Sequence, residues 1–434
     1  MTGADVVVLG AGMAGLAAAE RLGTAGRRVV VLEARDRLGG RIHTVDDPGL
    51  EHPVELGAEF VHGRPAALLD LVRDLGLTLE TVPRRESPDE LIGTPPLADI
   101  RTSLTNLLEA SEAEPDRPVA DLIRDRGALL GSPDELRLVT QYIEGFHAAE
   151  LDLIGTWALA ENESADDDAG DSMHRVREGY GALVRRLASR CDGAGVEVRL
   201  GTVATGIAWR RGEVRVAAST ADGRSETMSA PRIVVALPLG VLKRMTGTGG
   251  PGWVEPLPPT WQSALGALHM GTAHRVSLGF DTRWWAAEGA PGPGFIRGGA
   301  EAFPVWWTAL PSRAPVLTGW IGGPRATALT GRGEAAFLRA ALDSVASVFG
   351  RDVGELRSRL RLAYSHDWSA DPWAGGAYSY GGVGAIEARA TLTEPVEGTL
   401  FLAGEAVAEG GENATVHGAL ASGRRAATQV LEDT

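Results

Sequence analysis

The feature that most constrains this chain is the run VVVLGAGMAGLAAAERLGTAGRRVVVLE near its amino-terminal end. Val6–Leu9 read as a buried strand. Gly10-x-Gly12-x-x-Gly15 follows as a turn, LAAAERLGTAG as a helix stopped at Gly26, and Val29–Leu32 as a second strand ending in Glu33. Each glycine has a task in such a unit: Gly10 permits the tight turn, Gly12 lets a pyrophosphate approach the backbone, and Gly15 lets helix and strand pack closely. The helix N-terminus meets the anion, with Ala14 in its first turn, and Glu33 accepts hydrogen bonds from ribose hydroxyls. Strand, glycines, helix and terminal acid together predict a doubly wound α/β sheet that binds a dinucleotide.

The continuation, EARDRLGGRIHT, narrows the ligand. Glu33 and Ala34 lead into Arg35, Arg37 and Arg41, which surround the pair Gly39-Gly40. A second backbone approach to phosphate, flanked by guanidiniums, suits a longer dinucleotide held by extended contacts.

The rest of the composition excludes more than it selects. The chain has 434 residues, 44% hydrophobic and 23% charged, which are globular values with ample length for two or three domain-sized units. A formal charge of −15 argues against a nucleic-acid partner. The one cysteine, Cys191, allows no internal disulfide, as expected in a reducing cytoplasm. No signal peptide and no apolar run of membrane-spanning length is recognised, so no membrane partner is expected and a cytoplasmic monomer or homodimer is. No cluster with zinc spacing is present, and no metal is expected.

VVVLGAGMAGLAAAERL and VVVLEARDRLGGRIHT resemble the flavin-containing amine oxidase family, in its polyamine oxidase and flavin-type histone demethylase branch. Three further segments carry the likeness. ELGAEFVHG would lay the backbone of Gly57 and Ala58 against the flavin, with Glu59 and Phe60 beside it and His62 lining the substrate entrance. HDWSADPWAGGAYSYGGVG holds Trp368, Asp371, Pro372, Gly376, Tyr378 and Ser379 of a family motif. LFLAGEAVAEGGENATVHGALASGRRAA brings Gly404 and Glu405 to the cofactor and opens a last helix at Thr415 and Val416. The resemblance also implies that Val203 pairs its backbone with adenine.

It implies an FAD-binding domain in three pieces, 1–75, 185–245 and 380–434, with an α+β substrate domain from 76–184 and 246–379 inserted between them. The implied reaction moves hydride from a C–H next to an amine nitrogen to flavin N5. The imine hydrolyses and oxygen is reduced to hydrogen peroxide. The partners implied are a small-molecule amine and oxygen. Three departures accompany this reading. Ala377 stands where some members tether flavin through cysteine, which implies non-covalent FAD. Tyr380 and Thr415 match an aromatic cage that therefore has one ring, with Tyr380 shaping the amine site.

Third, Arg275 in HRVSLGF replaces the family's lysine. From the residues alone, Val276, Leu278 and Phe280 read as the apolar face of a half-buried strand, with Arg275 opposite and solvent-facing. The resemblance instead puts Arg275 on the flavin face, holding a water or an anion. Arginine is not a conservative exchange there. The alternative is a dehydrogenase or desaturase that passes electrons to an acceptor other than oxygen. ENESADDDAGD is read as a polar loop, and Trp306, Trp307 and Trp320 as strand residues of a sheet.

Overall fold

The computed structural model describes residues 3–50, 52–83, 97–111, 113–169, 172–246, 252–286, 294–298 and 301–433. Its centre is a five-stranded parallel sheet whose strands run Leu400–Leu402, Arg232–Val235, Val6–Leu9, Val29–Leu32 and Glu197–Arg199 in spatial order. Three separated stretches of chain therefore build one sheet. Continuous Val, Ile and Leu suit strands covered on both faces. Met13–Thr24 packs on Tyr180–Gly193 and Val416–Glu432, and Leu16, Leu22 and Val31 in that layer are fully buried. Each such side chain contributes about 1.5–3 kcal/mol. A Cβ on Gly423 would lie 2.1 Å from Ala14 O, so the last helix can approach the first this closely only with glycine there.

Three smaller parts surround this layer. A four-stranded sheet contains Thr202–Arg210, Glu213–Thr220 and Ser225–Ala230, with Gly252–Trp253 at its edge. Residues 252–253 thus pair with the strand that carries Val203, although the expected boundary at 246 assigns them to the substrate unit. An antiparallel sheet runs Phe295–Arg297, Val305–Thr308, Val316–Gly322, Ala273–Phe280 and Leu360–Ser365. A helical layer comprises Leu97–Glu109, Val119–Arg126, Pro133–Phe146 and Thr156–Ala169. Among the described residues no helix is long and apolar enough to cross a membrane, and no group of His, Cys, Asp and Glu is placed to hold a metal ion.

Two expectations fail here. Residues 161–169 of the acidic run are helical, continuing Thr156–Ala169. Alanine and glutamate favour helix, and Asn162 and Glu163 find buried partners that a solvated loop would not supply. Ala273–Phe280 is buried along its whole length rather than on one face. Val276, Leu278 and Phe280 meet Phe337, Leu342 and Val345 of the helix Glu334–Phe349. Arg275 is only 4% exposed.

Candidate functional site

The carboxyl ends of four sheet strands open on one cavity of about 620 Å³. Ligands of doubly wound folds sit at this edge. Leu9 and Gly10 lead off one strand, Leu32 and Glu33 the next, Ala236 and Leu237 the third, and Gly404 and Glu405 the fourth. Every residue singled out above as a cofactor or catalytic candidate lines this cavity except Gly15 and Arg37, whose Nη1 donates to Leu38 O and Ile42 O. Gly15 lies beneath: a Cβ there would be 1.9 Å from Gly10 O. Gly10 has φ of +96°, in the region open to glycine, whereas a Cβ on Gly12 would meet nothing closer than 3.8 Å. Turn, close packing and an open approach are thus divided among the three glycines as the sequence implies.

The remaining groups of this half are held singly. Glu33 is 6% exposed and accepts from Ala11 N at 2.7 Å and Arg35 N at 2.9 Å. The helix Met13–Thr24 has no side-chain cap, so its first amides are left to an outside acceptor. Gly57 lies so close to Arg41 O that a Cβ would stand 1.8 Å from it. Arg41 donates to Glu405 at 2.7 Å and to Ala377 O at 3.0 Å. Burial alone would raise the Glu405 carboxyl. The Arg41 charge and the hydrogen bond from Ser379 outweigh it and lower the pKa. Val203 lines the cavity beside Thr202 and Ala204, and Val416 begins the last helix against it. The spacious glycine turn, the buried acceptor at Glu33 and the uncapped start of the helix Met13–Thr24 fit an elongated dinucleotide such as FAD.

Two predicted cofactor contacts are committed elsewhere. The Arg35 guanidinium forms a fork with Asp371, both bonds 2.8 Å, so it reaches the cavity while spent on a protein carboxylate. Trp368 donates to Leu56 O at 2.8 Å. The WSADP segment therefore clasps the turns around residues 35 and 56. The Glu59 carboxylate, expected to serve the cofactor, is the hub of a buried cluster. Arg175 Nε donates to it at 2.7 Å, Trp307 Nε1 at 3.1 Å, and Arg275 Nη2 also donates. Burial pushes the Glu59 pKa up, but Arg175 and Arg275 outweigh it and hold it at about 2.

Arg275 lines the cavity, yet Nη1 donates to Gly57 O at 2.8 Å and Nη2 to Glu59. Only Nε lacks a hydrogen-bond partner among the described residues. That Nε is sealed from solvent, so a role in holding water or an anion falls to the second N–H of Nη1 or of Nη2. Beneath this cluster, burial raises Glu55 to about 7 despite hydrogen bonds from Thr44 Oγ1 and Tyr180 N, both 2.7 Å.

The opposite half of the cavity is aromatic. Phe60 lies 5.6 Å from Trp307 between ring centroids, Trp307 6.3 Å from Trp320, and Trp320 stacks at 6.2 Å on Tyr378. Tyr378 Oη donates to Phe146 O at 2.7 Å, and His62 stands edge-on to Phe60 and Phe146. Trp306, by contrast, is core and donates to Phe303 O. Tyr380 lines the cavity too, but its ring stacks on His269 at 5.3 Å and joins the helical core. Burial lifts its hydroxyl to about 12. Of the two tyrosines, Tyr378 joins the ring belt, and sequence reasoning passed over it although it stands in GGAYS. Cys191 is remote, buried with Sγ 3.5 Å from Leu16 O, and Ala377 lines the cavity.

A third cluster was not visible in the sequence. Glu163, 3% exposed, accepts from His147 Nε2 at 2.8 Å, Tyr142 Oη at 3.1 Å and Arg101 Nε at 3.2 Å, all from side chains that line the cavity. Burial raises its pKa less than His147 and Arg101 lower it.

Comparison with known proteins agrees with this geometry. Polyamine oxidase 4 of Oryza sativa subsp. japonica is 28% identical over 464 residues, covering 98% of this chain and 88% of that protein. Lysine-specific histone demethylase 1B of Mus musculus is 28% identical over 457 residues, covering 98% of this chain but 52% of that protein. The chain spans about half the length of that demethylase and 30% of demethylase 1 homolog 3 of Arabidopsis thaliana. A double mutant of putrescine oxidase superposes with a TM-score of 0.79 at 22% identity over 99% of both chains. Cyclohexylamine oxidase of Brevibacterium oxydans gives 0.79 at 20% identity, again over 99% of both. At such identities the two structures speak for the fold. The family model described as flavin containing amine oxidoreductase matches residues 13–431, and the chain belongs to that family.

Proposed function

We propose that the protein oxidises a small-molecule amine at the carbon next to nitrogen, using FAD bound without a covalent link. The observation that carries this is one continuous cavity, with a dinucleotide cradle at one end and a belt of aromatic rings at the other. FAD, when bound, supplies the acceptor for the hydride that leaves that carbon; the resulting imine hydrolyses. Gly12 and the helix starting at Met13 would face the pyrophosphate, Glu33 the ribose, and the Val203 backbone the adenine. The backbone of Gly57 and Ala58, together with Arg41 and Glu405, would border the ring system. Tyr378 and Trp320 orient the amine, with His62 and Tyr380 at the margins, and the buried rings keep water from the reacting carbon. The absence of cysteine from the lining supports non-covalent binding. The division of the chain at 76, 185, 246 and 380 and a cytoplasmic location belong to the same reading.

The test is anaerobic mixing of the yellow holoenzyme with an amine panel. Bleaching of flavin absorbance by at least one amine is the expected result; an enzyme that no amine bleaches would falsify the reading. A second reading concerns the acceptor. Arg275 is immobilised on Gly57 and Glu59, which favours a dehydrogenase over a fast oxidase. Peroxide formed in stoichiometric amount with imine product counts for oxygen, and turnover only with an added electron acceptor counts for the dehydrogenase.

A further inference from the structure

We infer that Asn162 holds the nitrogen of the substrate, its Oδ1 accepting an N–H of the neutral amine. The inference rests on the amine-oxidising reading and adds the residue that grips the reacting nitrogen. It comes from a chain of two amides whose direction is fixed at the far end. Asn413, 4% exposed, donates from Nδ2 to Ser379 O at 3.2 Å. A backbone carbonyl can only accept, so the nitrogen of Asn413 is at that end and its Oδ1 at the other. Asn162 Nδ2 donates to this Oδ1 at 2.8 Å and to Gly411 O at 2.8 Å. Turning the Asn162 amide over would set its oxygen against two acceptors. Both hydrogens of the Asn162 amide are therefore committed, and its oxygen alone is left to act.

That oxygen lacks a donor. Asn162 is 9% exposed and lines the cavity. Its Oδ1 accepts from no group among the described residues, yet it is not sealed as Arg275 Nε is. A side-chain carbonyl buried to this degree ordinarily has a partner, so the cavity's occupant is the donor. Its place points to the amine. Asn162 precedes Glu163, which holds His147 and Tyr142 of the substrate half, while Asn413 lies between Glu405 and Thr415 on the cofactor side. The two asparagines thus join the halves at the boundary that the reacting carbon must reach. The chemistry suits a neutral acceptor. A carboxylate there would favour the ammonium, whose lone pair is occupied by a proton. A carbonyl takes one N–H of the uncharged amine and leaves the lone pair free. As the C–H electron pair departs with the hydride to FAD, that lone pair becomes the second bond of an iminium.

The experiment removes the donor from the ligand and the acceptor from the protein. Phenylpropylamine and its N-methyl and N,N-dimethyl derivatives are bound anaerobically to the FAD-loaded enzyme. Binding is read from the change in the oxidised flavin spectrum as a function of pH and referred to the neutral amine, which in the dimethyl compound has no N–H. The wild type should bind the N-methyl compound about three- to tenfold more tightly than the N,N-dimethyl compound. Asn162→Leu keeps the bulk without the acceptor, so the preference should vanish there; crowding by the second methyl would leave it in place. Equal wild-type affinities, or a preference that survives in Asn162→Leu, overturn the inference. So does a variant that loses FAD affinity in fluorescence titration while its amine preference stands, because the acceptor then serves the flavin. Where Asn162→Leu does not load FAD, Asn162→Asp replaces it. Its carboxylate draws the ammonium, so the rise of binding with pH seen in the wild type should flatten or reverse, and an unchanged rise overturns the inference. If no amine bleaches the flavin, the oxidase reading fails while binding still decides this one, and no binding by any of the three overturns it.

Discussion

The two halves of the cavity are built on different rules. In the cofactor half, backbone does most of the holding, and each buried carboxylate takes one guanidinium beside lesser donors: Glu405 takes Arg41 with Ser379 and Ala414 N, and Asp371 takes Arg35 with His366. In the substrate half, single buried carboxylates gather several partners: Glu59 holds Arg175, Arg275 and Trp307, and Glu163 holds Arg101, His147 and Tyr142. A site made of backbone tolerates change in its neighbours, because each contact is local. A site hung on a hub fails together when the hub is removed.

The sharpest way to break that contrast is Glu59→Gln. It leaves two guanidiniums buried without a full counter-charge, and a loss of about 3–5 kcal/mol in unfolding free energy is expected. Flavin should stay bound, because no cradle contact is touched, while amine-dependent bleaching collapses. Chemical denaturation and the visible spectrum read the two effects separately. Loss of flavin in step with amine reactivity would mean that the halves are not independent.

Glu55, below the same cluster, gives the next largest effect. Its pKa in the folded chain, about 7, lies above the ordinary 4.5, so the folded state binds that proton more tightly. Its contribution is complete below pH 4.5 and declines by about 3 kcal/mol as pH rises through 7. His43 and His417, both depressed to about 4 by burial, contribute slopes of opposite sign over an overlapping range. The measurement is therefore the difference in unfolding free energy between wild type and Glu55→Gln as a function of pH. That difference should shift by this amount between acid and neutral pH, and a flat difference would show that Glu55 is ionised throughout.

How much of this could be read beforehand follows the same division. Gly10, Gly12, Gly15 and Glu33 act within a single strand–turn–helix–strand unit, so spacing alone assigns them. The outer motifs at Trp368 and Glu405 were legible because family likeness is strongest there. Glu59 and Arg175 are 116 positions apart, and Arg275 lies 216 from Glu59. Nothing local in either segment announces that these charges meet, and so Arg275 reads as surface when seen only in its own strand. Glu163 was hidden more deeply still, inside an acidic run whose composition resembles a solvated loop; only the helix it belongs to turns it inward. Tyr378 and Tyr380 occupy alternate positions of one short strand, and local pattern could not say which ring meets Trp320.

On the cofactor side, Asp371→Asn should weaken the Arg35 fork and the bond from His366 Nε2 at 2.7 Å. Burial raises the Asp371 carboxyl, but His366 and Arg35 hold it well below the usual range, so the charge is present at any working pH. The expected loss is about 2 kcal/mol of stability, with FAD affinity falling about tenfold and the amine concentration dependence unchanged. Fluorescence titration of apoprotein with FAD measures it. An altered amine dependence with intact FAD affinity would move this clasp into the substrate half.

The smallest effect tests where the boundary between the halves runs. Thr415 lines the cavity at the point where the two meet, and it also caps the last helix, accepting from Gly418 N at 2.9 Å and donating to Glu412 O at 2.6 Å. Thr415→Ala should cost about 1 kcal/mol through the lost cap, and Thr415→Ser, which keeps the hydroxyl, should restore most of it. If the threonine serves only the helix start that faces the cofactor, both variants keep the wild-type dependence of bleaching on amine concentration. If its methyl group touches the amine, Thr415→Ser shifts that dependence while stability stays near wild type, because only the methyl has gone. Stability follows the hydroxyl and amine affinity follows the methyl, so the two variants together assign Thr415 to one side of the boundary or to both.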